Sequence, residues 1–368
     1  MRLTLPFVIA GVAIAAIPVG AQDPGRRIVL RDVVRAPDAD RPIALSDVVE
    51  RTARPRAYQG RNTGSEQTER FSRKVRVGRD GRVSISNISG DIVVTGGSGD
   101  EVSIEAVKRT RGDRSELAGV EIVVEERAGR VDVRAEHERN RSDRGRRGDS
   151  LSVDFTVTVP ASASLDVHSV SGSLKVTGVH GAVRAETVSG NVTTTDTPNL
   201  EHAKSVSGDV SLTGAAADGD LAASSVSGNI TAKGLKARGL DLGSVSGDVT
   251  LTDVTCERLT IKTVSGNTEY AGAIARSGRY EINTHSGTVR LVLANPSGFE
   301  LNANSFSGSI RSDLPLTIGG DSTRGDRDGY RGRRREGNDA HNMRATFGDG
   351  SATLAIRTFS GDIIISKR

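Results

Sequence analysis

The 368-residue chain has no tryptophan, a single cysteine, two methionines and only 3% aromatic residues. One cysteine, Cys256, excludes an intrachain disulfide framework, so packing alone must hold the fold together. No histidine stands at a spacing that would make Cys256 a nucleophile, and it reads as a packed or turn thiol. The shortage of aromatics argues against nucleic-acid binding by base stacking. No metal-ligand spacing, nucleophile elbow or phosphate-binding loop occurs, and neither does the glycine-rich nonapeptide of calcium-binding β-rolls. The sequence therefore predicts no cofactor, no metal, no catalytic residue and no enzymatic activity.

What is abundant is glycine, and ten of the 43 glycines follow a serine in one recurring apolar frame: Gly90, Gly172, Gly190, Gly208, Gly228, Gly247, Gly266, Gly287, Gly308 and Gly361. From Gly172 to Gly308 the intervals are 18, 18, 20, 19, 19, 21 and 21 residues. A period of this size marks a stacked architecture whose repeats bury their apolar faces against one another. Counting from each glycine, positions −7, −5, −2, +2 and +4 are apolar except at Glu201, His285, Thr268, Thr194 and Ser312. The coil of Gly247, for example, has Leu240, Leu242, Val245, Val249 and Leu251 there.

Steps of two are strand periodicity. The step of three from −5 to −2 predicts that the inward face changes phase there, at a corner that glycine tolerates. On this reading His285, in an apolar slot, is a core histidine. The predicted fold is all-β: a parallel β-solenoid of about 18–21 residues per coil, right-handed by the general chirality of parallel crossovers, preceded by an antiparallel β meander. Position −3 is Ser or Thr in every unit but that of Asn87, and position +1 is mostly Asp, Asn or Ser. Stacking turns these into ladders, whose plainest role is short polar side chains bonding nearby backbone at a corner.

Residues 1–21 read as a secretory signal: Arg2, an apolar stretch from Leu3 to Ile17, then Val19-Gly20-Ala21. No later stretch approaches the roughly 18 apolar residues of a membrane span. The chain is expected to be exported, and to be periplasmic, secreted or associated with the cell surface. Residues 22–72 read as a disordered Arg/Pro-rich linker with strands beginning near Lys74. Residues 73–160 read as the N-terminal β region with an Arg-rich loop, and 161–368 as the repeats, with a flexible insertion at about 319–342. The formal net charge is only +4, but basic residues cluster in the loops. Arg144, Arg146 and Arg147, with Arg331, Arg333, Arg334 and Arg335, are candidate polyanion-binding residues whose affinity would be salt-sensitive. Arg-Gly-Asp occurs at Arg111, Arg147 and Arg324, as composition alone would produce in such loops.

The Ser/Thr-Val-Ser-Gly-Asp/Asn-Val-x-Leu unit, with the preceding strand Phe155–Val159 and Pro160, resembles the exported bacterial "putative adhesin" β-strand repeat family, a domain of unknown function. The resemblance spans roughly residues 75–368 and implies a β-helix-like fold and a cell-envelope location. The expected function is an adhesin-like binding or structural module, making multivalent contacts to an envelope or extracellular polysaccharide or a surface protein. Two alternatives stand beside it. One is a polysaccharide lyase or hydrolase on the same fold. The other is a scaffold that self-associates through the open edge of the C-terminal coil, at Ile363 and Ile365.

Overall fold

A computed structural model describes residues 66–137, 151–214, 219–294, 296, 298–318 and 342–368. The signal, most of the linker, the loop arginines Arg144 to Arg147 and Arg331 to Arg335, and two of the three Arg-Gly-Asp tripeptides lie outside these residues. The described chain is all-β and solenoid-like, with strands of mixed orientation and one 3-10 turn at Arg114–Gly119.

Each unit contributes a strand before its glycine and another after it. In the unit of Gly190 these are Val183–Ser189 and Val192–Thr195, rich in the β-branched residues that suit a half-buried pleat. Successive units pair in parallel and in register. Before the glycine, Val83 stands opposite Leu165, Leu165 opposite Val183, and Leu240 opposite Leu259. After it, Ile92 stands opposite Leu174, Leu174 opposite Val192, and Val192 opposite Val210. The alternate residues of both strands face inward and form one continuous buried column of Val, Leu, Ile and Ala. Tyr270 and Tyr280 enter this core edge-to-face, with centroids 5.8 Å apart. Their hydroxyls donate to the carbonyls of Val254 and Ala273, and of Cys256.

The phase change predicted between −5 and −2 does not occur. Alternation runs unbroken, so −7, −5 and −3 face inward and −2 faces outward. The buried member of the corner is the small polar residue: Ser205, Ser225, Thr187 and Asn87 are all buried. Two forces decide this. A serine or threonine is small enough to sit where the coil narrows, and in six of the ten units the −3 side chain bonds a carbonyl of the neighbouring coil, while the hydroxyls of Ser169, Thr263, Thr284 and Thr358 are buried without a partner. Ser205 Oγ donates to the Gly190 carbonyl at 2.8 Å and Ser225 Oγ to the Gly208 carbonyl at 2.9 Å. Asn87 Nδ2 donates to the Val153 carbonyl at 2.8 Å. His285 is consequently not a core histidine; it lies exposed on the outer face.

Glycine at the corner is set by approach. A Cβ added to Gly228 would stand 2.1 Å from the Gly208 carbonyl oxygen, and each of the other nine corner glycines meets the backbone of a neighbouring coil at 2.0–2.3 Å. Gly208, Gly228 and Gly247 have no positive φ, so close stacking rather than backbone conformation is what all ten share.

Other departures concern the ends. Glu201, the apparent polar miss at −7, is outside, because a bulge brings Leu200 into the core opposite Val183. A strand, Gln67–Arg76, already runs within the stretch expected to be linker; only Phe71 and Val75 of it face inward, too few to read as a period. The N-terminal region is no single meander. Gln67–Arg76, Glu101–Thr110 and Ser152–Pro160 form an antiparallel flap continuing the sheet after the glycine. Val120–Arg127 and Arg130–His137 form a hairpin continuing the sheet before it.

At the far end, stacking order departs from chain order. The coil of Gly361 sits between those of Gly287 and Gly308: Ile363 pairs with Val289 on one side and Ile310 on the other. Ile363 and Ile365 are fully buried, so the C-terminal coil offers no open edge for self-association. The coil of Gly308 is outermost, and Asn342–Gly348 covers its strand Gly298–Ser307 by antiparallel pairing.

Candidate binding face

Because the coils are in register, every outward position becomes a column of residues spaced by one strand separation, about 4.8 Å. Four columns stand out. The first, at +1, is a ladder of side-chain-to-backbone bonds. The backbone N–H of Asp209 donates to Asn191 Oδ1 at 2.9 Å, that of Asn229 to Asp209 Oδ1 at 2.8 Å, and that of Asp248 to Asn229 Oδ1 at 2.9 Å. Asn267 and Thr288 continue it. Asp and Asn alternate from Asn191 to Asn267, which keeps carboxylates from stacking on one another. At the far end Asp362 Oδ1 accepts both the N–H and the hydroxyl of Ser309, and these bonds hold its carboxyl below the ordinary carboxylate range. The ladder does the corner's hydrogen bonding, as its residue types suggested, but from coil to coil.

The second and third columns lie outward on the sheet after the glycine. Thr193, Ser211, Thr231 and Thr250 stand opposite one another in turn, and Thr177, Thr195 and Thr213 run beside them two residues on. Near their end, Asp248, Thr250, Glu269, Thr288 and Arg290 line an open depression of about 380 Å³.

The fourth column, at −2, was assigned to the core by sequence reasoning. In spatial order it runs Ile88, Val170, Val188, Val206, Val226, Val245, Val264, His285, Phe359 and Phe306, and all but the half-buried Val206 are exposed. It ends in an aromatic stack: His285 on Phe359 at 4.9 Å and 10°, Phe359 on Phe306 at 4.8 Å and 6°. Serines at −1 flank it on one side, and a column of mixed charge at −4 on the other, including His168, Glu186, Lys204 and Lys262. His168 Nε2 lies 2.8 Å from Asp166 Oδ1, and Nδ1 lies 3.7 Å from Glu186 Oε2, making a partly exposed surface cluster.

Among the outward carboxylates, Asp209, Asp248 and Asp362 accept backbone bonds in the +1 ladder, and Asp166 lies against His168. Cys256 is buried, which pushes its thiol up to about 12 and keeps it protonated. The Arg111-Gly112-Asp113 tripeptide is exposed and leads into the 3-10 turn.

The repeat frame and its stacking identify the family. Residues 81–366 match the Toastrack DUF4097 family. The chain belongs to that family. No curated protein matches the chain. Among solved structures, the chain aligns with a "putative cell adhesion protein" from Clostridium sporogenes at 10% identity and a TM-score of 0.20, covering 82% of this chain and 100% of that one. A "putative adhesin" from Parabacteroides merdae aligns at 8% identity and a TM-score of 0.24, covering 82% and 96%. Among the described residues of this Toastrack chain, no helix is long and apolar enough to cross a membrane.

Proposed function

We propose that the chain is an exported, non-enzymatic binding module of the cell envelope. It is read as a parallel, right-handed β-solenoid that makes many weak contacts with an envelope or extracellular polysaccharide or a surface protein. One observation carries this reading: the register copies the same outward side chains from coil to coil, so a rigid face presents a line of near-equivalent contacts. The paired hydroxyl columns from Thr177 to Thr250 supply donors and acceptors of the kind sugar hydroxyls bond. Contacts too weak singly add through effective concentration when the ligand is itself a repeating polymer. The leader-like residues 1–21 support export, and the commitment of Asp209, Asp248 and Asp362 to backbone bonds supports a role without catalysis.

The test is binding of the chain to an array of envelope and extracellular glycans at low and high salt, with analysis for cleaved products. Saturable binding that survives high salt and falls in a Thr231→Lys/Thr250→Lys variant supports the reading. Binding only to polyanions, lost as salt rises, would move the activity to the arginine runs. Shortened glycan products would replace the module with an enzyme.

A further inference from the structure

The apolar column at −2 lies outside the buried core and outside the proposed contacts to glycans. Its exposed Val, Ile and Phe side chains are between 40% (Val226) and 68% (Phe306) exposed. Together they leave roughly 700 Å² uncovered, more than the about 300–600 Å² of the largest patch on a typical monomer and close to the about 800 Å² that each partner of a standard interface buries.

Spacing selects the occupant. The rungs repeat at one strand separation, and the aromatic centroids at 4.8 and 4.9 Å show it directly. An extended peptide laid along the column presents same-side residues about every 6.7 Å and loses step within two or three rungs. A helix, with its pitch of about 5.4 Å, slips a full rung over the length of the column. A glycan would find no hydrogen-bonding group in the column between Ile88 and Val264. A second stack of the same strand separation stays in step from end to end, and this chain is such a stack. The −4 column beside it carries Glu186 against Lys204, Lys262 and Arg357, a small excess of like charge that salt screens when two such faces approach.

We propose that two copies of this chain associate through these columns, the −2 residues of one packing between those of the other. This self-association uses a sheet face rather than a coil edge and does not depend on the glycan reading.

Sedimentation velocity of the full chain over a concentration series tests it. The wild type is expected to dimerise, and Val226→Lys/Val264→Lys to raise the dissociation constant at least about tenfold. Glu257→Lys, an exposed position off the column, should leave it unchanged. Circular dichroism checks that the variants fold. Should the lysine pair not fold, Val226→Thr/Val264→Thr keeps the branched shape and should still weaken the dimer. A wild type that stays monomeric to about 100 µM, or a dimer indifferent to the column variants, overturns the proposal. So does a monomer whose binding to a glycan or foreign protein is lost in the lysine pair, since the column would then belong to that partner.

Discussion

At the end of each pre-glycine strand, two adjacent columns follow opposite rules. Position −3 holds Ser, Thr or Asn and is buried; position −2 holds Val, Ile, Phe or, once, His and, in most coils, is exposed. In an isolated sheet the larger apolar residue would be expected inside. In the stack, the interior at this point is bounded by glycine corners packed backbone to backbone, with room only for a small side chain. In six of the ten units the neighbouring coil also offers a carbonyl to which the −3 side chain donates; Ser169, Thr263, Thr284 and Thr358 go without. Burial of a polar group costs least where it is hydrogen-bonded, and size is the requirement that the whole column shares. The apolar residue is displaced outward, where only another surface can remove it from water.

The comparison can be broken most severely at the corner. Gly228→Ala forces a Cβ to within 2.1 Å of the Gly208 carbonyl oxygen, so the two coils must part. A loss of about 3 kcal/mol or more is expected in urea unfolding. A midpoint equal to wild type would discard close stacking as the reason for glycine. Next comes the −3 column. Ser225→Ala removes the 2.9 Å bond to Gly208 and should cost about 1 kcal/mol, while Ser225→Thr, the residue type of Thr187, should cost less than about 0.5. Equal losses in both would mean that volume, not the hydrogen bond, is what the position needs.

A smaller effect concerns pH. The carboxyl of Asp362 is depressed by its bonds from Ser309, so its stabilising contribution is present above the unfolded carboxylate value of about 3.9 and is lost as pH falls through the lower folded value. Hydrogen-exchange protection factors at residues 305–312, corrected for the intrinsic pH dependence of exchange, should therefore fall on acidification more in the wild type than in Asp362→Asn. Identical acid sensitivity would locate the titration elsewhere. Smallest of all, Val226→Thr should leave the unfolding free energy from urea titration within about 0.5 kcal/mol, since it replaces an exposed residue by another good strand former. A clear loss of monomer stability would mean that the −2 column supports the fold after all.

The repeat, the two strands per coil and the glycine corner were legible because period and composition express them directly. The phase at the corner was not. Val-Ser-Gly preceded by Ser or Thr fits either assignment, and the general preference for apolar interiors favours the wrong one, as His285 shows. Leu200 was hidden by a bulge, which moves a core residue by one place without any glycine or proline to announce it. The strand Gln67–Arg76 is held mainly by its ladder to Glu101–Thr110, a contact that leaves little trace in hydrophobic pattern. For the candidate face, the hydroxyl and Asn/Asp columns could be listed from sequence once the register was known. The apolar column could not be recognised as a surface until the corner's phase was seen.

The position of the Gly361 coil bears on how the chain assembles. A stack whose spatial order matched its sequence could close coil by coil from its first repeat, each new unit settling on the one before. Here the unit of Gly308 emerges before the unit that must lie beneath it, and its bed is supplied only by residues 352–367. Some fifty residues must pass before that place is filled. The last described strands thus act as a keystone, and a chain threaded outward from its N-terminus holds an unfinished, adhesive end until they arrive.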